Sequence, residues 1–265
     1  MIEMRGISKT YRVRRREAGL GSAVKSLFSQ KYEEIPALRD MTFTIPDGQV
    51  VGYIGPNGAG KSTTIKILSG ILRPDGGECV VNGLAPWEDR KRHVARLGVV
   101  FGQRSQLWWD VPVMDSFLLL RDIYQVPEDR FRENVGQLTQ LLDLGDMLRT
   151  PTRLLSLGQR MRCEIAAALL HSPDVLFLDE PTIGLDAVSK LKVREFIREQ
   201  NRRRGITVIL TTHDMQDIDA LCERVLLIGK GRLLLDGTPQ EIRAMAGENL
   251  STEESVADLY RRFGI

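Results

Sequence analysis

This sequence lacks several features that would assign a protein quickly to a particular class. It has only three cysteines in 265 residues, Cys79, Cys163 and Cys222, and they are widely spaced. An odd number of unclustered thiols argues against a disulfide framework and a zinc site, and it fits a reducing compartment. We therefore expect three free cysteines in a cytoplasmic protein.

Strong net charge and long apolar runs are also lacking. The formal net charge is only +2, which does not suggest a nucleic-acid partner. No apolar run approaches the roughly 18 residues that a membrane-spanning helix needs, and the longest are short pieces such as 117–120 and 225–228. Residues 1–5 have neither the basic start nor the apolar stretch of a signal peptide. We expect a soluble chain that reaches a membrane only through a partner.

The hydrophobic pattern indicates an α/β protein of one large domain or two modest ones. Strands are predicted at residues 2–11, 37–46, 50–54, 97–101, 175–178, 206–211 and 224–228, with a further strand and a hairpin within 75–83. Helices are predicted near 61–69, through most of 112–171, and in two short segments that begin with capping boxes at Thr238 and Ser251. This order predicts one α/β body with a helical subdomain set into it.

An irregular basic stretch, residues 12–36, separates the first two predicted strands. It opens with Arg12, Arg14, Arg15 and Arg16, and a short amphipathic helix is predicted where Val24, Leu27 and Phe28 have helical spacing. Two interpretations of the arginines are open. They contact anionic lipid headgroups, or they belong to a solvated loop, which the near-balanced charge favours.

A glycine-rich segment follows the strand at 50–54 directly, and its residues are Gly55, Pro56, Asn57, Gly58, Ala59, Gly60, Lys61 and Ser62. It matches G-x-x-x-x-G-K-[ST], the phosphate-binding loop, between a buried strand and a helix. Such a loop turns backbone N–H groups toward phosphate oxygens, and the helix start adds its positive end. Lys61 is predicted to reach the β- and γ-phosphates of ATP, and Ser62 to bind Mg²⁺. We include Thr63 among the predicted ATP contacts.

Two carboxylates end the apolar strand at 175–178. Asp179 at the strand end is predicted to hold Mg²⁺, and Glu180 to polarise the water that attacks the γ-phosphate. A solvated pair of acids is the alternative, but the upstream phosphate-binding loop disfavours it.

One segment and four further residues specify the family. Residues 155–159, Leu-Ser-Leu-Gly-Gln, resemble the LSGGQ signature of the ABC ATPases, with leucine at the first glycine. In the order typical of that family, Tyr11 resembles the aromatic residue that stacks on adenine, and Gln103 the Q-loop glutamine that contacts Mg²⁺. Asp186 resembles the D-loop aspartate, and His213 the switch histidine beside the γ-phosphate.

The resemblance extends from about residue 2 to 237. It implies a RecA-like P-loop NTPase core with an antiparallel β subdomain and an inserted helical signature subdomain at about 104–171. The nucleotide-binding domain would comprise residues 1–237, with 12–36 as its basic insert, and 238–265 would be a short C-terminal helical extension. The implied catalytic residues are Lys61, Gln103, Glu180 and His213.

The signature implies a second subunit. In the family it faces the γ-phosphate held by the phosphate-binding loop of another copy, so that ATP joins two protomers. Ser156, Gly158 and Gln159 are therefore predicted to contact nucleotide, together with Asp186. A helix start favours an anion, but Leu157 replaces one glycine and removes one close backbone approach.

The implied function is that of an ATP-hydrolysing subunit at the cytoplasmic face of the inner membrane, bound peripherally to a membrane-spanning permease. Residues 103–110 and the signature are similar to ABC-2-type exporters of the viologen and multidrug group, which predicts export. The basic insert also resembles subunits that export O-antigen or teichoic acid. A soluble ABC ATPase that remodels a cytoplasmic complex is the alternative. The transported substrate is not indicated, and the second ATPase subunit is an identical copy or a paralogue.

Two adjacent tryptophans follow the Q-loop. Trp108 and Trp109 lie where the family docks a short helix of the membrane subunit, and exposed aromatic residues make good interface anchors. Packing inside the helical subdomain is the equally weighted alternative.

Overall fold

The computed structural model describes residues 1–14, 32–102, 105–247 and 250–265. The strands are β1 (Ile2–Arg14), β2 (Tyr32–Ile45), β3 (Val50–Ile54), β4 (Gly76–Val81), β5 (Leu97–Phe101), β6 (Val175–Asp179), β7 (Thr207–Thr211), β8 (Arg224–Gly229) and β9 (Arg232–Gly237). The helices are α1 (Lys61–Leu68), α2 (Arg90–Val94), α3 (Val113–Tyr124), α4 (Glu128–Leu142), α5 (Leu157–Leu169), α6 (Ala187–Arg204), α7 (Met215–Leu221), α8 (Pro239–Ala246) and α9 (Thr252–Arg262). Short 3-10 turns at Gly145–Arg149 and Thr152–Leu154 precede α5.

A six-stranded sheet forms the core, in the order β5-β6-β7-β3-β8-β9. Its first five strands are parallel, and β9 is antiparallel to β8. Every residue of β3 and β7 is buried, as expected for parallel strands covered on both faces. The segments that follow β3, β6 and β7 leave the sheet at the same edge. The predicted α/β fold is therefore confirmed, and its topology brings three candidate loops together.

The smaller sheet is antiparallel, in the order β2-β1-β4. The prediction of irregular structure throughout residues 12–36 is wrong at both ends, because β1 continues to Arg14 and β2 begins at Tyr32. Arg12 pairs with Glu34 in the ladder, and their side chains form an ion pair at 3.0 Å. This cross-strand pairing of opposite charges stabilises a ribbon that apolar alternation did not reveal. The helix predicted around Val24 lies outside the described residues.

The strand predicted within 75–83 is present, but the hairpin prediction is wrong. β4 pairs with β1 and not with a neighbour in sequence. Asn82 and Gly83 have φ of 51° and 77°, and they close a tight turn bridged by Val81 and Leu84. The turn residues therefore reverse the chain without starting a second strand.

Helices α3, α4 and α5 lie between β5 and β6 in the chain, as the helical block at 112–171 predicted. The buried residues of α4 are Phe131, Val135, Leu138 and Leu142, whose spacing of three and four gives one apolar stripe. This stripe shares a hydrophobic core with α3, α5 and the large sheet. The helical block is thus packed on the body.

The last two helices begin as predicted. Thr238 and Ser251 each accept a hydrogen bond from the backbone of the glutamate three residues later, and each glutamate side chain accepts one in return. These capping boxes satisfy donors that a helix start leaves free. Within the part of the chain that the structure describes, no helix combines the length and apolar character of a membrane span.

Candidate functional site

The phosphate-binding loop connects β3 to α1. Gly58 and Gly60 have φ of 80° and 109°, a region that side chains with a Cβ rarely adopt. A Cβ on Gly60 would lie 2.8 Å from the carbonyl oxygen of Ala37, and one on Gly55 would lie 2.8 Å from that of Ile228. The glycines are therefore required by backbone angle and by close packing, so the predicted loop conformation has a steric cause.

Lys61 is the first residue of α1 and is 9% exposed. Its Nζ donates to the carbonyl oxygens of Gly55 and Pro56, the latter at 3.3 Å. Burial lowers the pKa of the ammonium group, and the carboxylates of Glu180 and Asp179 offset part of this effect. The lysine thus lies within electrostatic range of both predicted carboxylates.

The two carboxylates are anchored to the end of β7. Thr211 Oγ1 donates to Asp179 Oδ1 at 2.5 Å, and the Glu180 backbone N–H donates to the Thr211 carbonyl at 2.9 Å. Glu180 has a φ of 56°, an uncommon value for a non-glycine residue. A Cβ on Gly102 would lie 2.7 Å from the Asp179 carbonyl oxygen, so the chain after β5 passes close to the same point.

His213 contacts the Glu180 side chain. The His213 backbone N–H donates to Glu180 Oε2 at 3.3 Å, and its Nε2 lies 3.2 Å from Oε1. Burial raises the pKa of the Glu180 carboxyl, and His213 offsets part of that rise. The His213 side chain is 54% exposed, which leaves it accessible to a ligand. The structure therefore joins these two predicted residues in one unit.

The donor chemistry fits a magnesium ion. Ser62 offers an exposed hydroxyl at the start of α1, and Asp179 offers a carboxylate near Lys61. Hard oxygen ligands of this kind, completed by phosphate oxygens and water, are what Mg²⁺ takes. Gln103, the third predicted metal ligand, lies outside the described residues.

The signature segment begins α5. Ser156 is the N-cap: its Oγ accepts from the Gln159 backbone N–H at 3.2 Å, and Gln159 Oε1 accepts from the Ser156 N–H at 2.8 Å. The side-chain oxygen of Gln159 thus accepts a hydrogen bond within its own helix start. The sequence had predicted that Gln159 contacts nucleotide. Ser156 is exposed and Gly158 is partly exposed. The helix start therefore faces outward with its positive end accessible.

The turn between β6 and α6 contacts this segment. Asp186 is the N-cap of α6 and accepts from the Ser189 backbone at 3.0 Å and from its hydroxyl at 2.7 Å. These hydrogen bonds lower the pKa of the Asp186 carboxyl. Leu157 is 39% exposed, and its side chain lies over Gly184 in this turn.

Tyr11 is partly buried at the end of the smaller sheet. Its hydroxyl lies 3.3 Å from Thr63 Oγ1. Two residues that were each predicted to contact ATP are therefore neighbours, and Thr63 directly follows the phosphate-binding loop. Asn57 and Gly58 at the tip of that loop are exposed. This edge of the site is open to a ligand.

Sequence reasoning missed a buried carboxylate behind the site. Asp217 is 0% exposed and accepts from Thr182 at 2.5 Å, from Thr212 at 2.9 Å and from Arg194 Nε at 2.6 Å. It therefore holds together the chain after Glu180 and the chain before His213. An acid among the apolar residues of α7 was the available signal, but its partners are remote in sequence.

The tryptophans are exposed, as the interface interpretation expected. Trp108 and Trp109 are 58% and 53% exposed, and the Arg160 guanidinium lies 6.0 Å from the centre of the Trp109 ring. Of the arginine cluster, the described Arg12 is exposed and pairs with Glu34; Arg15 and Arg16 lie outside the described residues.

Comparisons with known proteins agree with this geometry. Residues 38–183 match the family described as ABC transporter. The chain is 31% identical to the ABC transporter ATP-binding protein NatA of Bacillus subtilis over 215 residues, which are 81% of this chain and 87% of NatA. It is 36% identical to a fluoroquinolones export ATP-binding protein of Mycobacterium tuberculosis over 208 residues, which are 78% of this chain and 67% of that protein. Among solved structures, it is similar to the dimeric ATP-binding cassette MJ0796 in a post-hydrolysis state bound to ADP and Pi. The TM-score is 0.74 and the sequence identity is 25%, and the match covers 90% of this chain and 98% of that chain.

Proposed function

Because this chain belongs to the ABC transporter family as an ATP-binding subunit with ATPase activity, we propose that two such subunits close around two ATP molecules and power export through a separate membrane-spanning partner. The proposal assigns residues 1–237 to the nucleotide-binding domain, with a helical subdomain at about 104–171. Residues 238–265 are a C-terminal helical extension. The subunit acts at the cytoplasmic face of the membrane.

Within one subunit, the loop 55–62 and Thr63 hold the phosphates of ATP, and Tyr11 packs against the base. Lys61 exchanges its loop carbonyls for phosphate oxygens. Glu180 accepts a proton from the attacking water, and His213 orients Glu180 while donating toward the γ-phosphate. The contact of 3.2 Å between the side chains of Glu180 and His213 supports the orienting role.

Ser62, Asp179 and Gln103 hold Mg²⁺. When bound, this ion neutralises charge on the transferred phosphoryl group. The chain contributes positioning, because Thr211 fixes the Asp179 carboxylate and Lys61 adds a second positive charge beside it.

The closed dimer rests on the exposed start of α5. Ser156 is exposed, and no hydrogen bond within the described ranges joins residues 155–159 to the loop 55–62. An exposed helix start that is not hydrogen-bonded to its own phosphate loop is suited to an anion held by another molecule. Ser156, Gly158 and Asp186 of one copy then complete the site of the other. The dimeric state of the similar cassette MJ0796 supports this arrangement.

Export and the membrane partner rest on the relatives and on the tryptophans. The Mycobacterium tuberculosis relative is named for fluoroquinolone export, and Trp108 and Trp109 offer exposed anchors for a membrane subunit. The ATPase partner is a second copy of this chain or a paralogue, and no nucleic acid is involved.

Light scattering on the full chain tests the dimer. A mass of two copies is expected with Mg²⁺ and a non-hydrolysable ATP analogue, and of one copy with ADP. A monomer under both conditions would contradict the closed dimer. Co-purification of the tagged chain from detergent-solubilised membranes then tests the partner: a multi-span protein is expected, and stable association with ribosomes would instead support a cytoplasmic remodelling ATPase.

A further inference from the structure

The signature leucine and a glycine of the following turn fit each other closely. Gly184 has a φ of +68°, and a Cβ at this position would lie 2.5 Å from Leu157 Cδ2. Among the described residues, leaving aside the two chain neighbours of Gly184, only Leu157 has atoms within 4 Å of that position. Leucine therefore fills the space that a side chain on residue 184 would take. The next signature residue is also close, since a Cβ on Gly158 would lie 3.1 Å from Ser189 Oγ.

The turn under Leu157 leads back to Glu180. The Ile183 backbone N–H donates to the Glu180 carbonyl at 3.2 Å, and the Leu185 N–H donates to the Thr182 carbonyl at 3.2 Å. Thr182 is fixed at one end of the turn by Asp217. Two consecutive hydrogen-bonded turns, 180–183 and 182–185, thus connect Gly184 to the backbone that carries the proposed base.

The other end of the turn is fixed by the N-cap Asp186 and its bonds to Ser189. Gly184 lies between the two fixed ends. A glycine has no side chain with which to anchor its own position, so a contact from outside the turn adds to the restraint that the Leu185–Thr182 hydrogen bond provides. Leu157 supplies that contact.

We propose that Leu157 is a positioning residue that couples the signature helix start to Glu180 of the same subunit through Gly184. This rests on the proposed dimer, in which Ser156 faces ATP bound by the other copy. Occupation of one ATP site then adjusts the base of the second site through a single chain. Coupling of this kind is a free energy shared by two sites, and it appears as cooperative turnover.

Hydrogen exchange on the nucleotide-free full chain tests the contact without requiring a dimer. In Leu157→Ala, the amides of Ile183 and Leu185 are expected to exchange about 3- to 10-fold faster than in the native chain. Leu157→Met, which restores volume, is expected to return them to near the native rate. Leu154→Ala is the matched control, because Leu154 is 61% exposed and has no atom within 4 Å of the Cβ position on Gly184. Unchanged exchange in Leu157→Ala would overturn the proposal.

Steady-state ATP hydrolysis tests the coupling. The native chain is expected to show a Hill coefficient above 1, and Leu157→Ala is expected to reduce it toward 1, with ATP affinity of the monomer unchanged and Leu157→Met close to native. A purely structural leucine would lower the active fraction and leave the Hill coefficient unaltered, which would contradict the positioning role.

A reciprocal pair of variants separates contact from strain. Gly184→Ala introduces a clash with Leu157 and an unfavourable φ, whereas Gly184→Ala in the Leu157→Ala background retains only the unfavourable φ. The double variant is expected to lose less activity than the sum of the single losses predicts. Strictly additive losses of activity would show that residues 157 and 184 do not interact, which would overturn the proposal. Absence of an ATP-dependent dimer in the native chain would instead overturn the proposed function, and the exchange result would still decide whether Leu157 holds the turn.

Discussion

His213 contacts Glu180 with both its backbone and its ring. The backbone N–H donates to one carboxylate oxygen at 3.3 Å, and Nε2 lies 3.2 Å from the other. Because the two residues follow the neighbouring strands β6 and β7, the register of the sheet fixes the contact. A base held at two points loses little orientational freedom when it acts, which favours an efficient reaction geometry.

Replacing Glu180 by glutamine is expected to slow ATP turnover by roughly 10²- to 10⁴-fold, because the proposed general base is lost. ATP affinity is expected to be retained, since the phosphate-binding loop is unchanged. Phosphate release at saturating ATP measures the rate, and equilibrium binding of a fluorescent ATP analogue measures the affinity. Glu195→Gln, an exposed glutamate on α6, is the control and should be near native. Native turnover in Glu180→Gln would remove the assigned role.

As the solution is acidified, ATP hydrolysis is expected to fall at a higher pH than it would with a general base that has the ordinary pKa of glutamate. Burial raises the pKa of Glu180, so at any given acidic pH more of this carboxyl is protonated and unable to act as a base. Turnover at saturating ATP should therefore be present above that raised pKa and be lost as the pH falls through it.

The pH profile of Glu180→Gln provides the comparison. Its residual turnover should lack this acid limb, while circular dichroism should show that both proteins remain folded over the range. An identical acid limb in the variant would assign the titration to another group.

Ser156→Arg is expected to leave ATP binding by the monomer intact and to block nucleotide-dependent dimer formation, because a bulky cation replaces the cap at the helix start that faces the other copy. Ser251→Arg is the matched control, since Ser251 caps α9 with the same capping box. Both changes should cost about 1 kcal/mol of stability through the lost cap. Light scattering should show the dimer only in the control, and a dimer in both would contradict the signature's role across the interface.

Asp217→Asn is expected to lower the free energy of unfolding by about 2–4 kcal/mol, because it removes a buried charge that compensates Arg194. Asp217 is 0% exposed and the Arg194 side chain is 11% exposed. Glu34→Gln breaks the exposed pair with Arg12 and should change stability by less than about 1 kcal/mol. Urea denaturation followed by circular dichroism measures both. Equal effects would show that burial is not what gives the Asp217 network its strength.

Local patterns were sufficient for part of this molecule. The phosphate-binding loop and the pair Asp179–Glu180 follow compact apolar strands, so their context could be read along the chain. The capping boxes at Thr238 and Ser251 were predictable for the same reason, since each lies within four consecutive residues.

The elements and contacts that were not predicted depend on residues far apart in the sequence. The ribbon at residues 12–14 and 32–36 is charged on both strands, and only the cross-strand register explains it. α6 was not predicted because its exposed surface is rich in charge, and β9 because its partner β8 decides its conformation. The Asp217 network and the Leu157–Gly184 contact join segments about 30 residues apart, and no periodicity encodes such a distance.

Lys61 donates to the carbonyl oxygens of Gly55 and Pro56, two residues of its own loop. A phosphate oxygen that binds this ammonium group therefore competes with two backbone acceptors of the same chain. The net pull of this lysine on ATP is a difference between two satisfied states. Under the proposed function this competition favours release of the spent nucleotide, because the ammonium group keeps acceptors of its own chain.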